Sequence, residues 1–272
     1  MSTASPNIIV INGTAVDVSH VPIHESMLGF LRSSGRTGSK IGCNEGDCGA
    51  CTLLVIEKDR TPRAINGCLA LVASLVGHEI TTAEGLEQDG KLHPVQEAMV
   101  GCNGSQCGYC TPGFICSMAE AYHGDTKPDR TQIADQLCGN LCRCTGYRPI
   151  REAMLHALDE TPTAPLLAAS AVPSAPAVSS DTESTWHRPT TVKKALTLKS
   201  QHPEALFIAG ATELAVLMNK RHIRYSSLIS LEHIESLSSI SKTATHWHIG
   251  AAAPLTDVGD ALAGEYPALD QM

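Results

Sequence analysis

Eight of the eleven cysteines in this 272-residue chain fall into two spaced sets. The first is Cys43-x4-Cys48-x2-Cys51, with Cys68 following after sixteen intervening residues. That spacing is the plant-type pattern of a [2Fe–2S] cluster. The loop also carries Gly42, Gly46 and Gly49. An anionic cluster needs close approach by backbone N–H groups, which bulky side chains would block. Zinc is the alternative. Zinc sites usually set one C-x2-C against another or against His, so the x4 step and the distant fourth Cys fit poorly. The second set is Cys107-x2-Cys110 and, after 31 further residues, Cys142-x-Cys144. Its two halves lie at the edges of expected helices, so two helix ends could converge on one site. The one-residue step through Arg143 brings both sulfurs together only if the backbone there is extended or turning. On spacing alone zinc stays open for this set. Cys102, Cys116 and Cys138 remain. Cys102-x4-Cys107-x2-Cys110 repeats the plant-type spacing and competes for a ligand role; otherwise all three read as small buried hydrophobes.

Charge and hydropathy narrow the setting. The formal net charge is −8 and there is no basic block. Phosphate neutralisation needs clustered Lys and Arg, so nucleic acid is not an expected partner. The opening from Met1 to Asn7 lacks a basic region followed by an apolar run, and no stretch approaches the ~18–20 apolar residues that span a bilayer. The expectation is a cytoplasmic, soluble chain with no membrane partner. Cytosolic thiols stay reduced, which favours metal ligation over disulfides.

The rest of the chain divides by pattern. Residues 8–11 and 14–18 flank Asn12-Gly13 and read as a β-hairpin. A short helix is expected over 25–33, a Gly-rich loop over 41–51, and strands over 52–56 and 63–66. From about residue 86 the period becomes helical, with helices over 94–100, 111–122, 131–137 and 149–158. Thr111-Pro112 reads as an N-cap followed by Pro. Residues 161–180 are rich in Pro, Ala and Ser and read as a linker. Beyond Trp186 the pattern predicts a helix over 192–199, a buried strand over 205–209, a helix over 212–220, and strands near 227–231 and 247–251.

Several segments then point to a family. Gly42-Cys43-Asn44-Glu45-Gly46-Asp47-Cys48-Gly49-Ala50-Cys51 resembles the first-cluster loop of the xanthine oxidase family of molybdenum hydroxylases. Ile65-Asn66-Gly67-Cys68-Leu69 resembles the segment with its fourth ligand. Gly104-Ser105-Gln106-Cys107-Gly108-Tyr109-Cys110-Thr111-Pro112 and Gly139-Asn140-Leu141-Cys142-Arg143-Cys144-Thr145-Gly146-Tyr147-Arg148-Pro149 are similar to its second-cluster signature. The resemblance removes most of the weight from zinc and leaves Cys102 outside the ligand set. Phe207-Ile208-Ala209-Gly210-Ala211-Thr212-Glu213-Leu214 is similar to the strand–turn–helix that holds the FAD pyrophosphate, where small residues let backbone N–H groups and a helix N-terminus meet phosphate. Many relatives have a second Gly where Ala211 stands and Asp where Glu213 stands. Ile249-Gly250-Ala251-Ala252 resembles the next strand on the flavin side.

The resemblance implies an α+β multidomain fold: a β-grasp plant-type ferredoxin domain over 1–85, a four-helix [2Fe–2S]-binding domain over 86–162, a linker over 163–184, and the first part of an FAD-binding domain over 185–272. It implies metal ligation by Cys43, Cys48, Cys51 and Cys68, and by Cys107, Cys110, Cys142 and Cys144. It implies FAD contacts from residues 207–214, and a position for Gln106 facing a partner. The interval between Cys51 and Cys68 is short for the family, so its hairpin should be tight. The chain stops where relatives continue into the flavin domain, so the FAD site is expected to be incomplete and to bind weakly. The implied role is passage of electrons from a large molybdenum-cofactor subunit through two [2Fe–2S] clusters to FAD and NAD+, during oxidation of hypoxanthine and xanthine to urate. Its alternatives are the same role with an aldehyde or N-heterocycle as substrate, or a stand-alone ferredoxin-like carrier.

Overall fold

In the computed structural model, residues 6–124, 127–159, 173–181 and 183–266 are described. The first unit holds β1 (Ile8–Ile11), β2 (Thr14–Asp17), α1 (Met27–Ser33), β3 (Thr52–Ile56), β4 (Pro62–Asn66) and β5 (Glu79–Thr81). They form one sheet in the order β2-β1-β5-β3-β4, with β1 and β5 parallel and the other pairs antiparallel. Asn12-Gly13 makes the expected hairpin turn. Ser26 caps α1, its hydroxyl accepting from the Gly29 N–H at 3.1 Å. One face of α1 then drops Met27, Phe30 and Leu31 onto Ile9, Ile11, Leu53, Val55 and Ile80. This is the β-grasp arrangement. The β3–β4 connection is tight: Glu57 and Thr61 close it by an N–H···O bond of 2.9 Å.

Strand β3 explains how the second unit attaches. Its sequence, Thr-Leu-Leu-Val-Ile, is buried throughout without the alternation of a half-exposed strand. Leu53 and Val55 face the α1 core, whereas Leu54 and Ile56 face a second core. A sheet covered on both faces reads as a continuous apolar run. The covering elements are α2 (Pro94–Gly101), α3 (Thr111–His123), α4 (Gln132–Gln136) and α5 (Arg148–Leu158). Phe114, Met118, Ala119 and Tyr122 of α3 are fully or almost fully buried among Met99, Ile133, Ile150 and Met154. Helix α3 starts differently from expectation. Cys110 is its N-cap and Pro112 lies in the first turn, while the Thr111 hydroxyl pairs with Ser105 Oγ at 2.8 Å.

The third unit comprises β6 (Val178–Ser180), β7 (Thr185–His187), α6 (Val192–Gln201), β8 (Leu206–Ile208), α7 (Leu214–Arg221), β9 (Ser227–Ser230), α8 (Glu235–Ser238), β10 (Ile240–Lys242), β11 (Trp247–Ile249) and α9 (Leu255–Leu262). Its sheet runs β6-β7-β9-β8, with β7, β9 and β8 parallel; β10 and β11 form a separate hairpin. Helix α7 packs over the first unit, so that Trp186, Ile208, Ala215, Met218 and Leu228 share a core with Cys51, Cys68, Leu69 and Leu71.

Two expectations are corrected here. The strand expected to be buried over 205–209 is the edge strand β8, with Leu206 37% and Phe207 40% exposed. The described part of the expected linker is built into the fold, while its portions over 163–172 and at 182 lie outside the described residues. Val178 to Ser180 pair with β7 as strand β6. The buried Arg188 guanidinium draws this segment in, donating to Pro176 O at 3.0 Å, Ser179 Oγ at 2.7 Å and, across to the first unit, Ala73 O at 2.6 Å. Ser179 in turn donates to Asn7 Oδ1 at 2.7 Å. A Pro- and Ala-rich composition does not forbid a strand once a neighbour supplies the ladder.

A histidine pair links α2 to α3. His93 caps α2, its Nδ1 accepting from the Val95 N–H at 3.3 Å. That assigns the His93 proton to Nε2, which donates to His123 Nε2 at 2.8 Å. Burial pushes both imidazoles down to about 4. Unfolded, they would protonate near pH ~6.5. A depressed histidine contributes its full stability above the unfolded value and loses it as pH falls towards the folded one. The helical unit should therefore weaken between about pH 6.5 and 4. Denaturant midpoints compared at pH 7 and pH 5 should show a smaller acid loss in His123→Phe than in the parent chain.

Candidate metal centres and cofactor turn

The first cysteine set lies in the 41–51 loop and at the end of the β4 turn. Its thiols meet in two pairs: Cys43 with Cys48, and Cys51 with Cys68. Backbone amides close around them. The N–H groups of Glu45 and Asp47 donate to Cys43 Sγ at 3.4 and 3.3 Å, that of Cys43 to Cys48 Sγ at 3.3 Å, and that of Cys68 to Cys51 Sγ at 3.4 Å. Gly42 permits this wrapping by lacking a side chain: a Cβ there would stand 2.5 Å from Cys48 Sγ. In each pair one thiol is acidified and the other resists ionisation. Its bond to the Cys68 thiol brings Cys51 down to about 7 against the opposing effect of burial, while the same bond and burial push Cys68 up. Burial also opposes a thiolate at Cys43, but the amide bonds outweigh it and the net shift is downward; burial raises Cys48.

The second set repeats the design at the mouth of the helices. Cys107 meets Cys144, and Cys110 meets Cys142. The Tyr109 N–H and then the Cys144 thiol lower Cys107, whereas burial and Cys142 raise Cys110 to about 12. Thr145 Oγ1 lies 3.1 Å from Cys142 Sγ, and the Cys142 N–H donates to the Tyr147 hydroxyl at 3.0 Å. Tyr147 begins α5 at φ 66°, so the Cys142-Arg143-Cys144 step is a non-helical turn, as the spacing required. Cys102 caps the C-terminus of α2 and packs on the helical core, Cys116 is fully buried, and Cys138 is exposed rather than buried as expected.

The paired arrangement suits a two-metal centre better than a single tetrahedral ion, which needs four donors around one point. Two irons bridged by sulfide, each taking two thiolates, fit two pairs of thiols. All eight predicted ligands are brought into such pairs.

Contacts between the two loops were not read from the sequence. The Leu141 N–H, one residue before Cys142, donates to Cys48 O at 2.9 Å. The buried Asn140 amide donates to Gly49 O at 3.0 Å and Thr52 Oγ1 at 3.2 Å and accepts from Ser117 Oγ at 2.6 Å. The Tyr109 hydroxyl reaches Ile41 O at 2.6 Å. Nothing in residue type distinguished Asn140 from an ordinary loop Asn.

The third predicted site is a turn. Gly210 and Ala211 follow one another at φ 67° and 58°, between β8 and the start of α7. Thr212 and Glu213 are exposed, while Ala211 and Ile208 are buried. The Gly210 N–H donates to Glu232 Oε1 at 2.9 Å, so the turn already holds an anionic oxygen. A cavity of about 710 Å³ adjoins it, lined by Ala209, Gly210, Thr212, Glu232, Arg63 and Asp257. Glu232 thus takes the place that a pyrophosphate oxygen would have to occupy at this turn.

Comparison with known proteins agrees with this layout. Residues 9–73 match the family described as a 2Fe-2S iron-sulfur cluster binding domain, 82–155 the [2Fe-2S] binding domain, and 180–272 the FAD binding domain in molybdopterin dehydrogenase. Quinoline 2-oxidoreductase from Pseudomonas putida 86 contains a chain that is 32% identical over 58% of this one and 96% of its own length, with a TM-score of 0.50. The chain belongs to the xanthine oxidase family of molybdenum hydroxylases. Within that family it is the iron–sulfur and flavin region, carrying two [2Fe–2S]-binding units followed by FAD-binding sequence. Xanthine dehydrogenase/oxidase of Rattus norvegicus is 31% identical over 99% of this chain, and aldehyde oxidase 1 of Bos taurus 31% over 97%. This molybdenum hydroxylase chain spans about a quarter (24%) of the length of each of these two relatives. No helix among the described residues is long and apolar enough to cross a membrane.

The ligand pairs give a test at Cys102. In Cys102→Ala, EPR of the dithionite-reduced protein should still show two distinguishable rhombic signals. In Cys110→Ala one of them should vanish.

Proposed function

We propose that this chain is the electron-transfer part of a xanthine dehydrogenase, working with a large molybdenum-cofactor subunit in the cytoplasm during purine oxidation to urate. The observation that carries the reading is the presence of two complete sets of paired cysteines and a flavin turn in one chain, in that order. Cys43 with Cys48 and Cys51 with Cys68 would hold the first cluster; Cys107 with Cys144 and Cys110 with Cys142 the second. Residues Phe207 to Leu214 would hold FAD, with the backbone of Gly210 and Ala211 at the pyrophosphate. When bound, these groups supply one-electron transfer at the clusters and, at the flavin, conversion to a two-electron hydride for NAD+.

The chain's own residues bind and orient; none makes or breaks a substrate bond. Amides of Glu45, Asp47 and Cys68 stabilise sulfur charge. The Leu141–Cys48 bond and Asn140 hold the two loops in one register. A second reading keeps this role but takes an aldehyde or N-heterocycle as substrate. It is supported by the 34% identity to aldehyde oxidoreductase from Desulfovibrio gigas over 57% of this chain and 17% of that one, at a TM-score of 0.52.

Anaerobically purified protein should contain about four irons and about four acid-labile sulfides per chain. Stoichiometric zinc without sulfide would overturn the ligand assignment. Capture with the tagged chain should bring down a molybdenum subunit, and the complex should reduce NAD+ with xanthine. Reduction with aldehydes or quinoline but not with xanthine would move the assignment to the second reading.

A further inference from the structure

Helix α7 touches two sites at once. It starts at the Gly210–Glu213 turn and ends, about 12 Å further on by helical rise, against the first cysteine loop. Its Ala215 and Met218 share a dry core with Cys51 and Cys68. The last turn makes the polar contacts. Asn219 Nδ2 donates to Cys68 O at 2.7 Å and to Asn44 O at 3.3 Å. Lys220 Nζ donates to Cys43 O at 3.3 Å and forms an ion pair with Glu45 at 3.0 Å. The two cysteine carbonyls come from different thiol pairs, so this helix end grips both halves of the site.

The electrostatics of this contact have a definite sign. A helix C-terminus carries a partial negative charge, which is unfavourable beside anionic sulfur ligands. Glu45 adds a full negative charge next to Cys43. Lys220 opposes both, and the Asn219 amide presents its N–H dipole to the same shell. Reduction of a [2Fe–2S] centre adds one negative charge, so a cation and donors nearby favour the reduced state; net charge and hydrogen bonding are known levers on cluster potential.

We propose that Lys220 and Asn219 act as a positioning and tuning clamp, through which the flavin-side helix α7 raises the reduction potential of the first cluster and holds its loop. This rests on the reading of Cys43, Cys48, Cys51 and Cys68 as that cluster's ligands. The electron acceptor in the first unit is thus set by the element that begins at the flavin turn. Glu45 modulates the effect in the opposite direction.

The test is an EPR-monitored redox titration of the full chain and its variants, preceded by iron and sulfide analysis. Lys220→Gln should retain both clusters and lower the midpoint of one signal, by up to about tenfold in the reduction equilibrium, or ~59 mV for a one-electron couple. The signal that moves should be the one that survives in Cys110→Ala; the other should stay. Lys220→Arg should restore the parent midpoint. Glu45→Gln should raise it, and the Lys220→Gln/Glu45→Gln pair should return it towards the parent value. Unchanged midpoints in a fully loaded Lys220→Gln protein would overturn the clamp while leaving the ligand reading intact. Loss of the first cluster in that variant, with no measurable midpoint, would make Lys220 a structural residue and also overturn tuning. Absence of iron and sulfide from the parent chain would instead defeat the underlying reading.

Discussion

Two cysteine-bearing loops from different units meet through one buried side-chain amide. Asn140, only 3% exposed, satisfies Gly49 O, Thr52 Oγ1 and Ser117 Oγ together. Each buried polar group left unpaired costs roughly 1–3 kcal/mol, so this amide is hard to replace. Close approach makes the contact possible. A Cβ on Gly113 would lie 2.1 Å from Gly49 O, and one on Gly49 2.2 Å from Gly139 O. Helix α3 can therefore lie flat against the cluster loop and β3. The same contact brings the Leu141 N–H to Cys48 O, leaving a single hydrogen bond between the backbone of one ligand set and that of the other. Electron passage between two metal sites needs a fixed and short separation. Here that separation is imposed by packing rather than by a linker.

Charge organises each loop. Thiolates concentrated in a small space repel one another and must be met by donors. In the first loop those donors are backbone amides, which add no net charge and cannot swing away. The cost is a chain path that few side chains permit, and Gly42 shows it directly through the space its Cβ would take from Cys48 Sγ. In the second loop a side chain shares the work, Thr145 Oγ1 lying beside Cys142 Sγ, while Tyr147 holds the loop by accepting the Cys142 N–H. Phe114 packs edge-on against Tyr147, which fixes that hydroxyl from the helical core.

The cysteine spacing and the hairpin at Asn12-Gly13 made much of the first 160 residues legible, because ligand geometry and turn chemistry are local. Helices α2, α3 and α5 fell close to their expected bounds for the same reason. What was not legible depends on partners distant in sequence. Strand β6 looked like linker because its composition is that of a linker; its ladder comes from β7, and its anchor is Arg188 reaching Ala73. Strand β8 has the apolar run of a buried strand yet lies at a sheet edge. Cys138 carried no mark of exposure. Asn140, Asn219 and Lys220 are ordinary residues by type, and only the fold brings them to carbonyls of the cysteine loops.

The attachment of the third unit follows from the same logic. Its sheet could have packed on its own helices alone, but α7 buries Ala215 and Met218 against Cys51, Cys68 and Leu71 of the first unit. Arg188 adds a buried cation that, among the described residues, meets no carboxylate at hydrogen-bond distance and is held by carbonyls and a hydroxyl. Burial lowers it only to about 10, so it stays charged at neutral pH. A charge kept in such a place is costly unless every oxygen around it stays put, because removing any one leaves the guanidinium with less compensation. The oxygens belong to the first unit, the strap before β6 and β6 itself. Moving the third unit away would break the bond to Ala73 O and, with it, the Ser179 bond to Asn7. The Gly210–Glu213 turn at the start of α7 and the first cysteine loop at its end are therefore joined through one packed helix, and the fold sets the distance between them.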